Sequence, residues 1–337
     1  MNVTATTGSW LIGGAGRSGK TTLADALRAH SRTVAGFPLE GVFHVYLQRR
    51  FPFFRHQRRR LITEYMDRPR YMDALRTKVE RPRDHLVAGS EQLAEAVPDG
   101  ITNPISLFAW ILDRYAEERG KQAWAVFDLL PELRFATYRR LLPGARLVVM
   151  QRTPEEAVAE ALFWRTYPDA PEDRQRRFQN ILFQWCLSRR VAELHRERNP
   201  DAVAIFSFNA LVRGDEDEIE RMANTFDMNP DDVRSAFGFD PPFSHVEGGA
   251  FRGPDGNVRT LLTDRELADI RQVAAGHYPR RDLAVLLGLA GVAPVLARGL
   301  GDFLMYPGMI IRRRMNALRQ RAADASAGIR LFLGAAE

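Results

Sequence analysis

The 337-residue chain holds one cysteine, Cys186, and only three lysines, Lys20, Lys78 and Lys121, among its 48 basic residues. A single thiol excludes an internal disulfide, and its place in the apolar helical run ILFQWCLSRR reads as a buried structural position. So little lysine makes arginine richness a habit of the whole chain rather than a device built at one site. No charged leader with an apolar core and cleavage site opens the sequence, which gives the expectation of a cytoplasmic protein. The uncharged stretch from Leu283 to Ala297 has fifteen residues and is interrupted by glycines and Pro294, too short to span a bilayer. Helix-turn-helix and RNA-binding signatures are missing. The formal charge of +6 and pI near 9.7 therefore point to an anionic ligand or surface in general, and nucleic acid is not an expected partner.

What is present supports a large core, since 45% of the residues are hydrophobic. The most informative stretch is SWLIGGAGRSGKTTLADALRAH, where an apolar run, Trp10 to Ile12, is followed by glycines and then by helical spacing from Thr21. Gly14 to Thr21 matches GxxxxGK[ST] in full, between a strand and a helix as that motif requires. Such a turn cradles an anion, because consecutive backbone N–H groups and the positive end of the helix converge on it and Lys20 adds a full charge.

Further strands are expected at Thr33 to Phe37, Ala123 to Phe127, Ala145 to Met150 and Val203 to Phe208. Nearly continuous apolar strands separated by helices imply a parallel sheet covered on both faces. Pro154 opens a helix with acids in its first turn, Asp173 to about Arg198 reads as a long helix, and Thr263-Asp264 caps another. The expected fold is a P-loop α/β three-layer fold with a central parallel sheet and a helical C-terminal extension. The domains are placed at 1–280 and 281–337. Leu283 to Ile311, with Arg312, Arg313 and Arg314 behind it, reads either as a glycine-broken helical pair on the core or as a peripheral contact (283–314) with an anionic membrane.

Three blocks, SWLIGGAGRSGKTTL, AGFPLEGVFHV and RYAEERGKQAWAVFDLLPELRFATYRRLLPGARLVVMQRTPEEAVA, together resemble bacterial sulfotransferases that use 3′-phosphoadenosine 5′-phosphosulfate (PAPS), and SHVEGGAFRG is similar to a glycine-rich element late in that family. The resemblance runs in order from Trp10 to Tyr278. It implies that Gly16, Arg17, Ser18, Gly19, Lys20, Thr21 and Thr22 surround the phosphosulfate and that Arg152 pairs with the 3′-phosphate, with Arg252 a second candidate. Arginine suits a phosphate because its planar fork donates two hydrogen bonds at once. For catalysis it implies Lys20 as the cation on the bridging oxygen and Glu40 or His44 as the base that takes a proton from the acceptor. The acceptor class is a small molecule, glycan or lipid bearing a hydroxyl or amine.

The chain departs from the family pattern in three places. Lys20 stands where the loop usually has Ser or Thr, Glu160 falls near a serine that bonds the 3′-phosphate, and Phe127-Asp128 replaces a lysine region. These departures feed a rival reading, an ATP/Mg²⁺-dependent small-molecule kinase or other P-loop phosphotransferase. There Lys20, Thr21 and Asp128 complete a metal-nucleotide site, and Arg165 to Arg177 forms a lid. Asp128 reads equally as a cap for the turn that begins at Pro131.

Overall fold

The computed structural model describes residues 8–41, 61–62, 66, 81–101, 103–128, 130–164, 171–238 and 262–275. The chain divides into two units, Met1–Pro279 and Arg280–Glu337, and every described residue belongs to the first. The expected C-terminal extension, the glycine-rich block with Arg252, His44, and most of the Arg49 to Arg83 stretch lie outside the described residues.

Five strands, β1 (Ser9–Gly13), β2 (Val34–Gly36), β3 (Ala123–Phe127), β4 (Arg146–Gln151) and β5 (Val203–Ser207), form one parallel sheet in the order β2-β3-β1-β4-β5. Around it, among the described residues, run α1 (Lys20–His30), α2 (Ser90–Ala96), α3 (Pro104–Glu117), α4 (Phe135–Leu141), α5 (Pro154–Trp164), α6 (Pro171–Arg198), α7 (Phe208–Arg213), α8 (Glu216–Phe226), α9 (Pro230–Gly238) and α10 (Asp264–Ala274).

Alternation along the strands divides the core in two. Leu11, Trp124, Val126, Leu147 and Val149 pack with α2, α3 and α4 on one face. Trp10, Ile12, Ala125, Phe127, Val148 and Met150 pack with α1, α7, α8 and α9 on the other. Every residue of β1 and β3 is buried, as strands covered on both faces require. Local sequence sets several helix starts: Asn103 accepts from Ser106 N ahead of Pro104, and Thr263 with Glu266 forms a reciprocal capping box.

Two sequence expectations are corrected. The apolar run at β5 stops at Ser207, whose hydroxyl accepts from Ala210 N and caps α7, so Phe208 is helical rather than extended. The 3₁₀ turn at Pro131, Pro131–Arg134, has Leu130 rather than Asp128 at its N-cap, and Asp128 is fully buried, accepting from the Tyr138 hydroxyl at 3.2 Å.

The chain leaves β1 for β2, returns to β3, and then steps over β1 to β4. The connections after β1 and β4 therefore part at the carboxyl ends of adjacent strands, the crevice where open α/β sheets bind ligands.

Candidate active site

The β1–α1 connection sits in that crevice. Gly14, Arg17 and Gly19 all take positive φ, at 122°, 65° and 91°. A side chain at Gly14 would meet the Met150 carbonyl oxygen at 2.3 Å, and one at Gly19 would meet the Phe208 ring at 2.2 Å, so the loop's path against β4 and α7 requires glycine at both. Gly19 caps α1 without a side-chain hydrogen bond, which leaves the first amides of that helix to point out of its end. Gly16 is exposed, with nothing within 4 Å of where its side chain would be. Thr21 and Thr22 follow in the first turn of α1 with partial exposure. Ser18 is 2% exposed, and its hydroxyl has no hydrogen-bond partner among the described residues. An unpaired buried hydroxyl beside a helix N-terminus is a place for an acceptor such as a phosphate or sulfate oxygen.

Beneath the loop on the β3 side lies a carboxylate that sequence reasoning missed. Glu132 is fully buried in the turn after β3, and both its oxygens accept from Gly14 N at 3.3 Å. Ser188 of α6 donates its hydroxyl to Glu132 Oε1, and His195 Nε2 lies 3.0 Å from the Glu132 carbonyl oxygen. Lys20 Nζ donates to the Gly14 carbonyl at 2.8 Å. Lys20 as a residue keeps partial exposure, yet its ammonium is enclosed: desolvation pushes its pKa down, opposed by the charges of Glu132, Glu40 and Asp128. Burial pushes the Glu132 carboxyl up, opposed by the Ser188 hydrogen bond and the Lys20 charge.

Glu40 reaches the site through an extension of the β2–β3 ladder, in which Phe37 N donates to Ala125 O at 2.7 Å and Gly41 N to Phe127 O at 2.6 Å. Those bonds hold Glu40 at the carboxyl end of β3, close enough for its charge to act on Lys20. Asp128 acts on Lys20 in the same way.

On the β4 side the geometry gathers four charged side chains. Arg152, just past β4, donates from Nη1 to the Arg17 carbonyl at 3.3 Å and from Nε to Glu156 at 3.0 Å, and its guanidinium lies 5.1 Å from the Phe208 ring centre. Glu160, two turns into α5, pairs with Arg152 through one oxygen and with Arg17 Nε through the other, at 2.7 Å. The backbone of this corner is fixed as well. Trp185 Nε1 donates to the Arg152 carbonyl at 2.9 Å, and Thr153 N donates to Asn209 Oδ1 at 2.8 Å.

The structure thus brings Arg17, Ser18, Lys20, Glu40 and Arg152 to one crevice. The part of the expected lid at 165–170 lies outside the described residues, and from Pro171 the same stretch belongs to α6. Among the described residues no helix is long and apolar enough to cross a membrane.

A family model described as "Sulfotransferase family" matches residues 11–232, more than half of the chain. No curated protein sequence matches it. Among solved structures, the sulfotransferase domain of the olefin synthase from Synechococcus PCC 7002 is similar at 13% identity and a TM-score of 0.46, covering 82% of this chain and 96% of that one. Sulfotransferase STF9 from Mycobacterium avium is similar at 14% identity and a TM-score of 0.35, covering 88% of this chain and 75% of that one.

Proposed function

This chain belongs to the sulfotransferase family, and from that premise we propose that it moves a sulfuryl group from PAPS to a hydroxyl or amine of a small-molecule, glycan or lipid acceptor. The donor supplies a sulfuryl group already activated on a phosphate leaving group. The loop amides and the unpaired Ser18 hydroxyl receive the anionic end. Lys20 places its cation where charge develops on the leaving oxygen, an effect that removal of one donor typically reveals as a loss of about 10²–10³ in rate. Glu40, held at the end of β3, takes the acceptor's proton. Arg152 binds the 3′-phosphate, with Arg17 beside it.

One observation carries the reading: Arg152, 135 residues from Arg17 in sequence, hydrogen-bonds the loop's own backbone. A nucleotide whose 5′ anion lies in the loop and whose second phosphate reaches β4 meets a fixed guanidinium there. The ATP/Mg²⁺ reading keeps one observation of its own, the Asp128 charge near Lys20.

Thermal melts with adenosine 3′,5′-bisphosphate and with Mg·ATP separate the two. Ligand at 100 times its Kd stabilises a protein by about 2.7 kcal/mol. A larger shift with the bisphosphate is expected, and stabilisation by Mg·ATP alone would overturn the donor assignment.

A further inference from the structure

The arginines that face the crevice are not bare. Arg17 (21% exposed) and Arg152 (15%) are bridged by a single carboxylate, Glu160, itself 16% exposed. Glu160 touches Arg17 Nε and Nη2 with one oxygen and Arg152 Nη1 with the other, so its carboxylate spans the two guanidinium groups in the way a phosphate or sulfate would. Glu156 adds a second acid on Arg152. Among the described residues, these two arginines and two glutamates sum to no net charge at the corner.

We propose that Glu160 is a built-in competitor for the donor's anion: it holds Arg17 and Arg152 in register while the crevice is empty, and it must swing away before either guanidinium binds a ligand phosphate. The inference rests on the donor reading above for the identity of that phosphate, but not for the displacement itself. Three features of the fold support exchange at this carboxylate rather than at its neighbours. Glu156 is the more enclosed of the two acids, at 9% exposure, and also accepts from Asn209 Nδ2, which ties it to α7. Among the described residues Glu160 pairs only with the two arginines, and it sits one further turn along α5, where it keeps more exposure than Glu156. Arg152 keeps its other contacts, to the Arg17 carbonyl, Glu156 and the Phe208 ring, so losing Glu160 does not release it. A dianion gains two charge-assisted partners on arrival, and the departing carboxylate gains water. Glu160 is thus a specificity-setting residue that lowers affinity for every anion at this corner and lowers it most for those too weakly charged to displace it.

The test is calorimetric titration of the full chain and its Glu160→Gln variant with adenosine 3′,5′-bisphosphate and, separately, with inorganic pyrophosphate. Glutamine keeps the size and a hydrogen-bond acceptor, and Glu160→Ser is a second variant should the first fold poorly. Removing the like charge is expected to tighten the bisphosphate by about tenfold or more and to steepen the fall of affinity with salt, because the corner gains a net positive charge. A residue with a merely structural role would weaken binding when replaced and would not change the salt slope. Unchanged or weaker binding of both ligands in both variants would overturn the proposal while leaving any wild-type bisphosphate binding, and so the donor reading, intact. Tighter pyrophosphate with no bisphosphate binding in either protein would uphold the displacement and refute the donor reading.

Discussion

The two flanks of the loop hold their charges differently. On the β3 flank Glu132 is sealed, tied to the Gly14 amide, Ser188 and the Lys20 charge, with no exposure of its own. On the β4 flank Arg17, Arg152 and Glu160 remain partly open to solvent and pair with one another. A sealed ion is costly to disturb, because removing one partner strands the other without water; an open pair is worth little by itself and is readily exchanged. The β3 flank therefore holds the loop's shape, and on the proposed reading the β4 flank is where the donor's second phosphate binds.

The largest expected break in that division is chemical. Lys20→Met should lower turnover by about 10²–10³, since it removes the cation from the proposed reacting centre, and should also lower the melting temperature because it takes the Lys20 charge away from the buried Glu132, whereas Glu40→Gln should lower turnover by about 10²–10⁴ while sparing donor-analogue affinity. Steady-state rates beside titrations check both, and a fully active Glu40→Gln would move the base to another group.

Next is the sealed flank itself. Glu132→Ala leaves the Gly14 amide and Ser188 without their acceptor and should cost about 3 kcal/mol in denaturant unfolding. Glu132→Gln sharpens the point through pH. Burial raises the carboxyl above its ordinary 4.5, so the folded protein keeps that proton to higher pH than the unfolded chain does. Stability from this group is thus largest below 4.5 and falls as pH climbs through the raised value. Thermal melts should show wild type losing ground to Glu132→Gln over that climb, and parallel curves would mean that Glu132 is not desolvated.

The smallest expected effect belongs to Ser18→Ala. Its hydroxyl makes no hydrogen bond among the described residues, so the empty protein should be unchanged or more stable by up to about 1 kcal/mol, while donor-analogue affinity falls several-fold. A clear loss of stability without ligand would show that the hydroxyl is satisfied within the fold.

How much of this was legible beforehand follows from distance along the chain. The P-loop was, because strand, glycines, lysine and helix start lie within one stretch from Trp10 to Leu27 and each has a local signature. The apolar runs that became β1 and β3 were legible for the same reason: burial on both faces leaves no polar position to confuse the pattern. Glu132 was not. An acid just after Pro131 looks like an ordinary exposed first-turn residue, and only tertiary packing brings Gly14, 118 residues away, and Ser188 onto it. Glu160 stands out in sequence only as a departure near a family serine, because its two arginine partners come from the loop and from the end of β4, and no spacing joins them. At Ser207 two signals competed: the apolar Phe208 prolonged the strand pattern, and the serine's capping geometry ended it.

The most direct measurement compares adenosine 3′,5′-bisphosphate with adenosine 5′-monophosphate on wild type and Arg152→Ala by calorimetry. If the loop and Arg152 hold the two ends of one nucleotide, wild type prefers the bisphosphate and Arg152→Ala loses about ten- to a hundredfold for that ligand alone, leaving the monophosphate nearly untouched. An undiminished preference in Arg152→Ala, or an equal loss for both nucleotides, would contradict it.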